Sequence, residues 1–144
     1  MISNELKTTI QGAYSRFLEA KSLKPRYGQR LMIAEVAKVL GDIDTDDEGR
    51  RSGDPAVVAV EAGTGTGKTV AYSLAAIPTA KAAGKRLVIA TATVALQEQI
   101  VYKDLPDLMR NSGLNFSFSL AKGRGRYMCC LLYTSPSPRD LSTS

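Results

Sequence analysis

One glycine-rich segment constrains this chain more than any other feature. Residues 62–69 read Ala-Gly-Thr-Gly-Thr-Gly-Lys-Thr and lie between a short apolar run, 57–60, and a helical pattern that begins near residue 68. Glycine accepts the positive φ angles of a tight turn, and successive N–H groups in such a turn point inward and bind anions. An apolar run, a glycine loop and a helix, in that order, form the setting in which the pattern G-x-x-x-x-G-K-S/T binds phosphate. Alanine replaces the first glycine here, a mild departure, so the segment predicts a nucleotide triphosphate site, with ATP as the expected ligand.

Individual residues of this loop have predicted roles. Lys68 is expected to stabilise the β- and γ-phosphates, and the Thr69 hydroxyl is expected to ligate Mg²⁺. The predicted nucleotide-binding residues of the loop are Ala62, Gly63, Thr64, Gly65, Thr66, Gly67, Lys68 and Thr69. Hydrolysis also requires a carboxylate at the end of a neighbouring strand. No apolar run in the sequence ends in Asp-Glu or Asp-Asp, so we expect the Walker B carboxylate to be absent from this chain.

The remaining periodicity predicts an α/β fold. Apolar residues recur at helical spacing in four stretches, 6–18, 29–40, 68–83 and 94–109. The last stretch contains Pro106, near which we expect a break. Short apolar or alternating runs predict strands at 57–60, 86–90 and 116–120. Strands that alternate with helices favour a mostly parallel sheet flanked by helices.

Composition excludes several kinds of chemistry. The 144 residues include no histidine and two cysteines, Cys129 and Cys130, which excludes histidine acid–base catalysis and a disulfide framework. The N-terminal segment lacks a signal-peptide pattern, and no apolar run is long enough to cross a membrane. We therefore expect a cytoplasmic protein with no membrane contact. The net charge of +5 suits a polyanionic partner but does not identify one.

Several segments around the glycine loop resemble the motifs of superfamily 2 helicases. Residues 61–69 resemble motif I, residues 26–32 (Arg-Tyr-Gly-Gln-Arg-Leu-Met) resemble the upstream adenine-reading motif, and residues 90–100 resemble motif Ia. Segments 102–106 and 123–129 narrow the match to the DinG branch of the XPD-like, iron–sulfur DNA helicases. The resemblance runs from about residue 6 to 129.

This resemblance implies a fold and an activity. The fold would be part of motor domain 1 of a RecA-like P-loop NTPase, and the parent protein would couple ATP hydrolysis to 5′-to-3′ movement on single-stranded or forked DNA. Gln29 would contact the adenine base, with Arg26 beside it. A glutamine amide can pair with the adenine edge because it both donates and accepts. From the residues alone, Arg26 fits a basic surface face equally well.

The same resemblance implies DNA contacts and a cluster ligand. Thr91 and Thr93 would lie against DNA, but they could also cap the next helix. Arg124 and Arg126 would contact phosphates, but a basic surface turn explains them equally. Cys129 matches the first of four cysteines that hold a [4Fe–4S] cluster in the family. Since the sequence has too few cysteines for four thiolate ligands, we expect the cluster in the parent protein only.

The last residues differ in kind from the rest. Residues 130–144 are rich in Ser, Thr and Pro without periodicity, which predicts disorder. The string from Cys130 to Asp140 also resembles the translation of a transposase adapter used in preparing sequencing libraries. We therefore expect residues 1–129 to form the N-terminal part of a helicase ATP-binding domain and residues 130–144 to be an adapter-derived tail.

Two other functions fit the residues. The chain could belong to a P-loop kinase or unrelated ATPase, or it could be a non-catalytic nucleotide-binding module. Segments 26–32 and 90–100 argue against a kinase. The missing carboxylates are consistent with a non-catalytic nucleotide-binding module, so that alternative stays open. For the helicase interpretation, this chain alone is expected to be inactive. Its sequence does not indicate an oligomeric state.

Overall fold

The described residues form a helical assembly in which two helices pack against a third. A computed structural model describes residues 2–123 and 126–127. Within those residues the α-helices are α1 (Asn4–Ala20), α2 (Tyr27–Gly41), α3 (Lys68–Ala82), α4 (Val94–Gln99) and α5 (Leu105–Asn111). A π-helical turn, Ile100–Asp104, joins α4 to α5. These elements confirm the four predicted helical stretches.

Helix α1 is defined at both ends by local hydrogen bonds. The Ser3 hydroxyl accepts from the Leu6 backbone N–H at 3.2 Å, satisfying a donor that the first turn leaves unpaired. At the other end, the Leu23 N–H reaches back to the carbonyl of Leu18 at 2.9 Å. Ser22 makes this reversal possible with a φ of 51°, the left-handed conformation that usually falls to glycine. The chain therefore leaves α1 sharply and turns toward α2.

Helix α3 is the centre of the core. Residues 71 and 73–79 are all buried, and a helix that is buried around its circumference must have neighbours on several sides. Helices α1 and α2 both pack on it. The core contains Ile10, Ala13, Tyr14, Phe17, Leu18, Met32, Ile33, Ala37, Ala71, Leu74, Ala75, Ile77, Ile100, Leu105, Leu108 and Leu114. Because α3 begins at the glycine loop, this packing holds the loop against the other helices.

The helix predicted for 94–109 changes geometry before its proline. The π-helical turn Ile100–Asp104 ends just ahead of Pro106, which lies in the first turn of α5. Proline has no N–H and its ring clashes with the carbonyl four residues earlier in an α-helix. A wider π turn is one way to accommodate that clash. The predicted interruption is therefore a local widening, and the helix resumes through Asn111.

The predicted parallel sheet is not confirmed. Residues 57–60, 86–90 and 116–120 are not helical, but the described part of the chain contains no strand, only an isolated antiparallel bridge between Thr45 and Arg51. Val57 is 81% exposed and Val88 is 85% exposed. A parallel strand needs hydrogen-bonded neighbours and cover on both faces. The strand prediction rested on apolar runs. Within the described residues those runs have no hydrogen-bonded strand beside them, and they are not covered on both faces.

The described residues include no helix that is both long enough and apolar enough to span a lipid bilayer.

Candidate nucleotide site

The glycine loop turns directly into the N-terminus of α3. Gly65 and Gly67 both have φ near 75°, in the left-handed region, and Gly67 is the residue that precedes the first turn of α3. No side chain caps this end of the helix. The free N–H groups and the positive end of the helix dipole therefore face the loop, which is the arrangement that favours a bound anion.

Lys68 folds back over the loop. Its Nζ donates to the carbonyl oxygens of Ala62 at 2.7 Å and Gly63 at 2.9 Å. The Thr66 hydroxyl also donates to the Gly63 carbonyl, at 2.8 Å. An ammonium group has three donors, so Lys68 bridges the loop while retaining one donor. The structure thus brings its charge to the loop, where the sequence predicted it.

Helix α2 reaches the same loop from a distant part of the sequence. Arg26 donates from Nη1 to the Gly65 carbonyl at 2.8 Å, and Gln29 donates from Nε2 to the Gly67 carbonyl at 3.5 Å. A Cβ atom at Gly67 would lie 2.2 Å from this Gln29 nitrogen, so the glutamine can approach only because residue 67 is glycine. The structure therefore brings together Arg26, Gln29 and the glycine loop, the features that sequence analysis assigned to nucleotide binding.

Tyr14 is a member of this cluster that sequence analysis missed. It lies within the apolar pattern of residues 6–18, and it is 8% exposed. Its hydroxyl accepts from the Arg26 backbone N–H at 3.3 Å and donates to Gln29 Oε1 at 3.3 Å. A tyrosine among apolar core positions is the available signal, because a buried phenolic hydroxyl usually has a hydrogen-bond partner.

The predicted DNA-contact residues have structural partners of their own. The Thr93 hydroxyl accepts from the Leu96 N–H at 3.2 Å and so caps α4, while Thr91 donates to the Thr93 carbonyl at 3.3 Å. Arg126 donates from Nη1 to Gln97 Oε1 on α4 at 2.7 Å. The capping alternative therefore holds for Thr93. Arg124, the fourth predicted DNA contact, lies outside the described part of the chain, as do the predicted cluster ligand Cys129 and the predicted tail 130–144.

Comparison with known proteins assigns the family. The sequence profile described as DEAD/DEAH box helicase matches residues 49–128, a range that includes the glycine loop and α3 to α5. The chain belongs to the DEAD/DEAH box helicase family. Membership in this family assigns the RecA-like P-loop fold as a class, and it confirms the helicase resemblance seen in the sequence motifs.

Relatives with the name "ATP-dependent DNA helicase DinG" extend the match to most of the chain. The chain is 42% identical to the Photobacterium profundum protein over 130 residues, which cover 90% of this chain and 18% of that protein. Against the Escherichia coli protein it is 44% identical over 142 residues, which cover 94% of this chain and 18% of the relative. The chain therefore spans less than a fifth of the length of these curated relatives.

The DEAD/DEAH box helicase match does not reach every part of the candidate site. Its range begins at residue 49, so Tyr14, Arg26 and Gln29 lie ahead of it. Those residues join the site through the packing of α1 and α2 on α3. The tertiary structure, not the family profile, is what connects them to the loop.

Thr69 is the candidate cation ligand at the glycine loop. Thr69 is half-buried in the first turn of α3, and its hydroxyl is the type of ligand that a nucleotide-bound Mg²⁺ accepts. Across residues 2–123 and 126–127, no three His, Cys, Asp or Glu side chains are grouped closely enough to hold a metal ion. The Thr69 hydroxyl fits a cation that the nucleotide itself carries, since Mg²⁺ is commonly held through substrate phosphates and one or two protein groups.

Proposed function

We propose that this chain binds ATP with Mg²⁺ at residues 62–69 and is the ATP-binding part of an ATP-dependent DNA helicase. The observation that carries the proposal is the convergence of Lys68, Arg26 and Gln29 on one loop at the start of α3. A phosphate group needs the loop and the helix N-terminus, and an adenine base needs a side chain that both donates and accepts. This cluster offers both within one site.

The phosphate half of the site works through charge and backbone donors. On binding, Lys68 exchanges the carbonyls of Ala62 and Gly63 for phosphate oxygens. That exchange is favourable because the full negative charge of a phosphate oxygen attracts the ammonium more strongly than the partial charge of a carbonyl oxygen does. The backbone of Gly63, Thr64, Gly65 and Thr66 would surround the phosphates. Bound Mg²⁺ would neutralise phosphate charge, with the Thr69 hydroxyl as a protein ligand.

Turnover needs groups beyond these residues. An acidic side chain must hold the cation and orient water, and no such group was found among the apolar runs of the sequence. We propose that a longer protein supplies it, together with strands that pair with residues 57–60, 86–90 and 116–120 to build the mostly parallel sheet. The chain's short coverage of its relatives supports this proposal.

We propose a DNA surface formed by Thr91, Thr93, Arg124 and Arg126. The names of the relatives support DNA as the polymer, and single-stranded or forked DNA with 5′-to-3′ movement is the form proposed here. Guanidinium groups suit phosphate contacts because they present several donors. In the longer protein, Cys129 would be one of four thiolate ligands of a [4Fe–4S] cluster. The cytoplasm is the proposed compartment.

The test of this function is nucleotide affinity in the wild-type chain and the Lys68→Ala variant. Isothermal titration with ATP and Mg²⁺ should give at least a tenfold higher Kd for Lys68→Ala, because charge-assisted hydrogen bonds are worth about 1.5–3 kcal/mol each. Lys81→Ala is a matched control, since Lys81 is an exposed cation in the last turn of the same helix. Equal ATP affinity in the wild-type and Lys68→Ala chains would show that the loop has another role.

A second measurement separates binding from catalysis. We expect the 144-residue chain to bind ATP without hydrolysing it or separating DNA strands, because no apolar run of its sequence ends in the acidic pair expected of the Walker B carboxylate. A phosphate-release assay with and without single-stranded DNA checks this. DNA-stimulated release by the chain alone would contradict the proposal that its site is incomplete.

A further inference from the structure

A directed series of hydrogen bonds joins α1 to the glycine loop. The Arg26 backbone N–H donates to the Tyr14 hydroxyl, which donates to Gln29 Oε1, and Gln29 Nε2 donates to the Gly67 carbonyl. The donor and the acceptor of each bond follow from the groups at the two ends of the series. A backbone N–H can only donate and a backbone carbonyl can only accept. The Tyr14 hydrogen is therefore free for Gln29, and the glutamine must turn its nitrogen toward Gly67.

The hydrogen bonds to the protein leave Gln29 with one donor and one acceptor. A glutamine amide has two N–H donors and an oxygen that accepts two hydrogen bonds. Gly67 takes one donor and Tyr14 takes one lone pair. Adenine offers one acceptor, N7, and one donor, the N6 amino group, along its outer edge, whereas guanine offers two acceptors, O6 and N7. The remaining N–H donor and lone pair of Gln29 thus match the acceptor and the donor of adenine. Against guanine, the lone pair would face a second acceptor, which is unfavourable.

Tyr14 is rigid where Gln29 is not. Tyr14 belongs to the hydrophobic core and is 8% exposed, so its hydroxyl has a defined position. Gln29 is half-buried and has several rotatable bonds, so without partners its amide could turn over. A turned amide would present its nitrogen where its oxygen now lies and could then donate to guanine O6. Holding the amide in advance also reduces the entropy lost on binding.

We infer that Tyr14 is a positioning residue that orients the Gln29 amide and thereby sets the preference of this site for adenine over guanine nucleotides. This inference rests on the proposed function, because it requires a purine nucleotide to bind beside Gln29. Tyr14 reaches the base only through Gln29, because its other hydrogen bond is from the Arg26 backbone N–H and not from the Arg26 guanidinium that contacts the loop. The Tyr14 hydroxyl should therefore influence base selectivity and leave phosphate binding unchanged.

The experiment measures base selectivity in the wild-type full chain and in three variants of it. Titrations with ATP, GTP and inorganic tripolyphosphate give three Kd values each for wild type, Tyr14→Phe, Gln29→Ala and the double variant. Tyr14→Phe removes only the hydroxyl and keeps the buried ring. Tyr102→Phe is the matched control, because Tyr102 is 70% exposed and lies in the π-helical turn.

A definite pattern is expected. Tyr14→Phe should lower the ratio of GTP Kd to ATP Kd by about threefold to tenfold, in line with the loss of one neutral hydrogen bond. Its tripolyphosphate Kd should match that of wild type and of Tyr102→Phe. In the Gln29→Ala background the Tyr14 change should have no further effect on the ratio. That lack of additivity is the signature of a residue that acts through another.

The other outcomes overturn the inference in distinguishable ways. If wild type prefers ATP and Tyr14→Phe keeps the same preference, the orienting role is wrong while the proposed adenine site stands. Equal loss of ATP, GTP and tripolyphosphate binding in Tyr14→Phe would assign Tyr14 a purely structural role. If wild type binds tripolyphosphate but does not distinguish ATP from GTP, base reading by Gln29 fails and the inference fails with it.

Discussion

Arg26 donates from its guanidinium Nη1 to the carbonyl oxygen of Gly65 at 2.8 Å, across 39 positions of sequence. Arg26 immediately precedes α2 in an extended conformation, with φ −111° and ψ 131°. One helical turn later, Gln29 meets the next glycine of the same loop. The start of α2 therefore holds the loop by its backbone, and the loop's geometry depends on how α2 packs against α3.

Removing this contact should loosen the loop. In Arg26→Ala we expect faster amide hydrogen exchange at residues 63–67 and an ATP Kd about threefold to tenfold higher, because a hydrogen bond from a charged donor is lost. The matched control is Arg30→Ala, an exposed arginine one turn further along α2. Hydrogen-exchange mass spectrometry and titration measure the two effects. Identical exchange in the two variants would mean that Arg26 does not restrain the loop.

Gly67 should tolerate no side chain. Its φ of +75° costs a non-glycine residue about 1–2 kcal/mol, and an added Cβ would displace the Gln29 amide. Gly67→Ala should therefore unfold at lower urea concentration and lose its preference for ATP over GTP. Gly63→Ala is the stability control, because a Cβ there meets no atom within 4 Å and the φ of Gly63 is not positive. Equal urea midpoints for the two variants would contradict the strain argument.

A substitution at Ser22 should make the protein more stable. Ser22 adopts a φ of 51° at the end of α1, a position that usually holds glycine. Ser22→Gly should raise the free energy of unfolding by about 0.5–1 kcal/mol, since it removes left-handed strain that exceeds the entropy cost of glycine. Ser22→Ala keeps the Cβ and should show no such gain. Urea unfolding distinguishes them, and a gain shared by both substitutions would point to a cause other than backbone strain.

Thr93 allows capping and DNA binding to be separated. Its hydroxyl caps α4, so Thr93→Ala should cost about 0.5–2 kcal/mol of stability, whereas Thr93→Ser keeps the capping oxygen. Thermal unfolding checks the stability difference. A fluorescent single-stranded oligonucleotide checks affinity for DNA in the same samples. Unchanged stability in Thr93→Ala would be inconsistent with the cap seen here.

Arg126 should contribute to DNA binding as a cation. If it contacts a phosphate, Arg126→Gln should weaken binding to all single-stranded sequences alike and reduce the magnitude of the salt slope of log K by about 0.7. Arg110→Gln is the control, because Arg110 is an exposed cation in the last turn of α5. Affinities at several salt concentrations give both slopes. The proposed contact would be rejected by a slope that stays at the wild-type value.

Sequence reasoning predicted the parts of the molecule that local interactions build. The four helical stretches were predicted because apolar spacing along a helix reports which face is buried. The glycine loop was predicted because a glycine-rich pattern between an apolar run and a helix is typical of a phosphate-binding turn. The strands at 57–60, 86–90 and 116–120 were predicted from apolar runs alone. They are not confirmed in the described residues, because a strand exists only through hydrogen bonds to a neighbour that its own sequence does not specify.

The sequence by itself determined the loop, its lysine and the helix that follows, since these lie within a few residues of one another. Only the tertiary structure decided that Arg26 and Gln29 touch the loop, that Tyr14 joins them, and that Thr93 caps a helix. The physical reason is distance along the chain. Contacts between residues far apart in sequence depend on how α1 and α2 pack against α3, and many side chains across the core set that packing together.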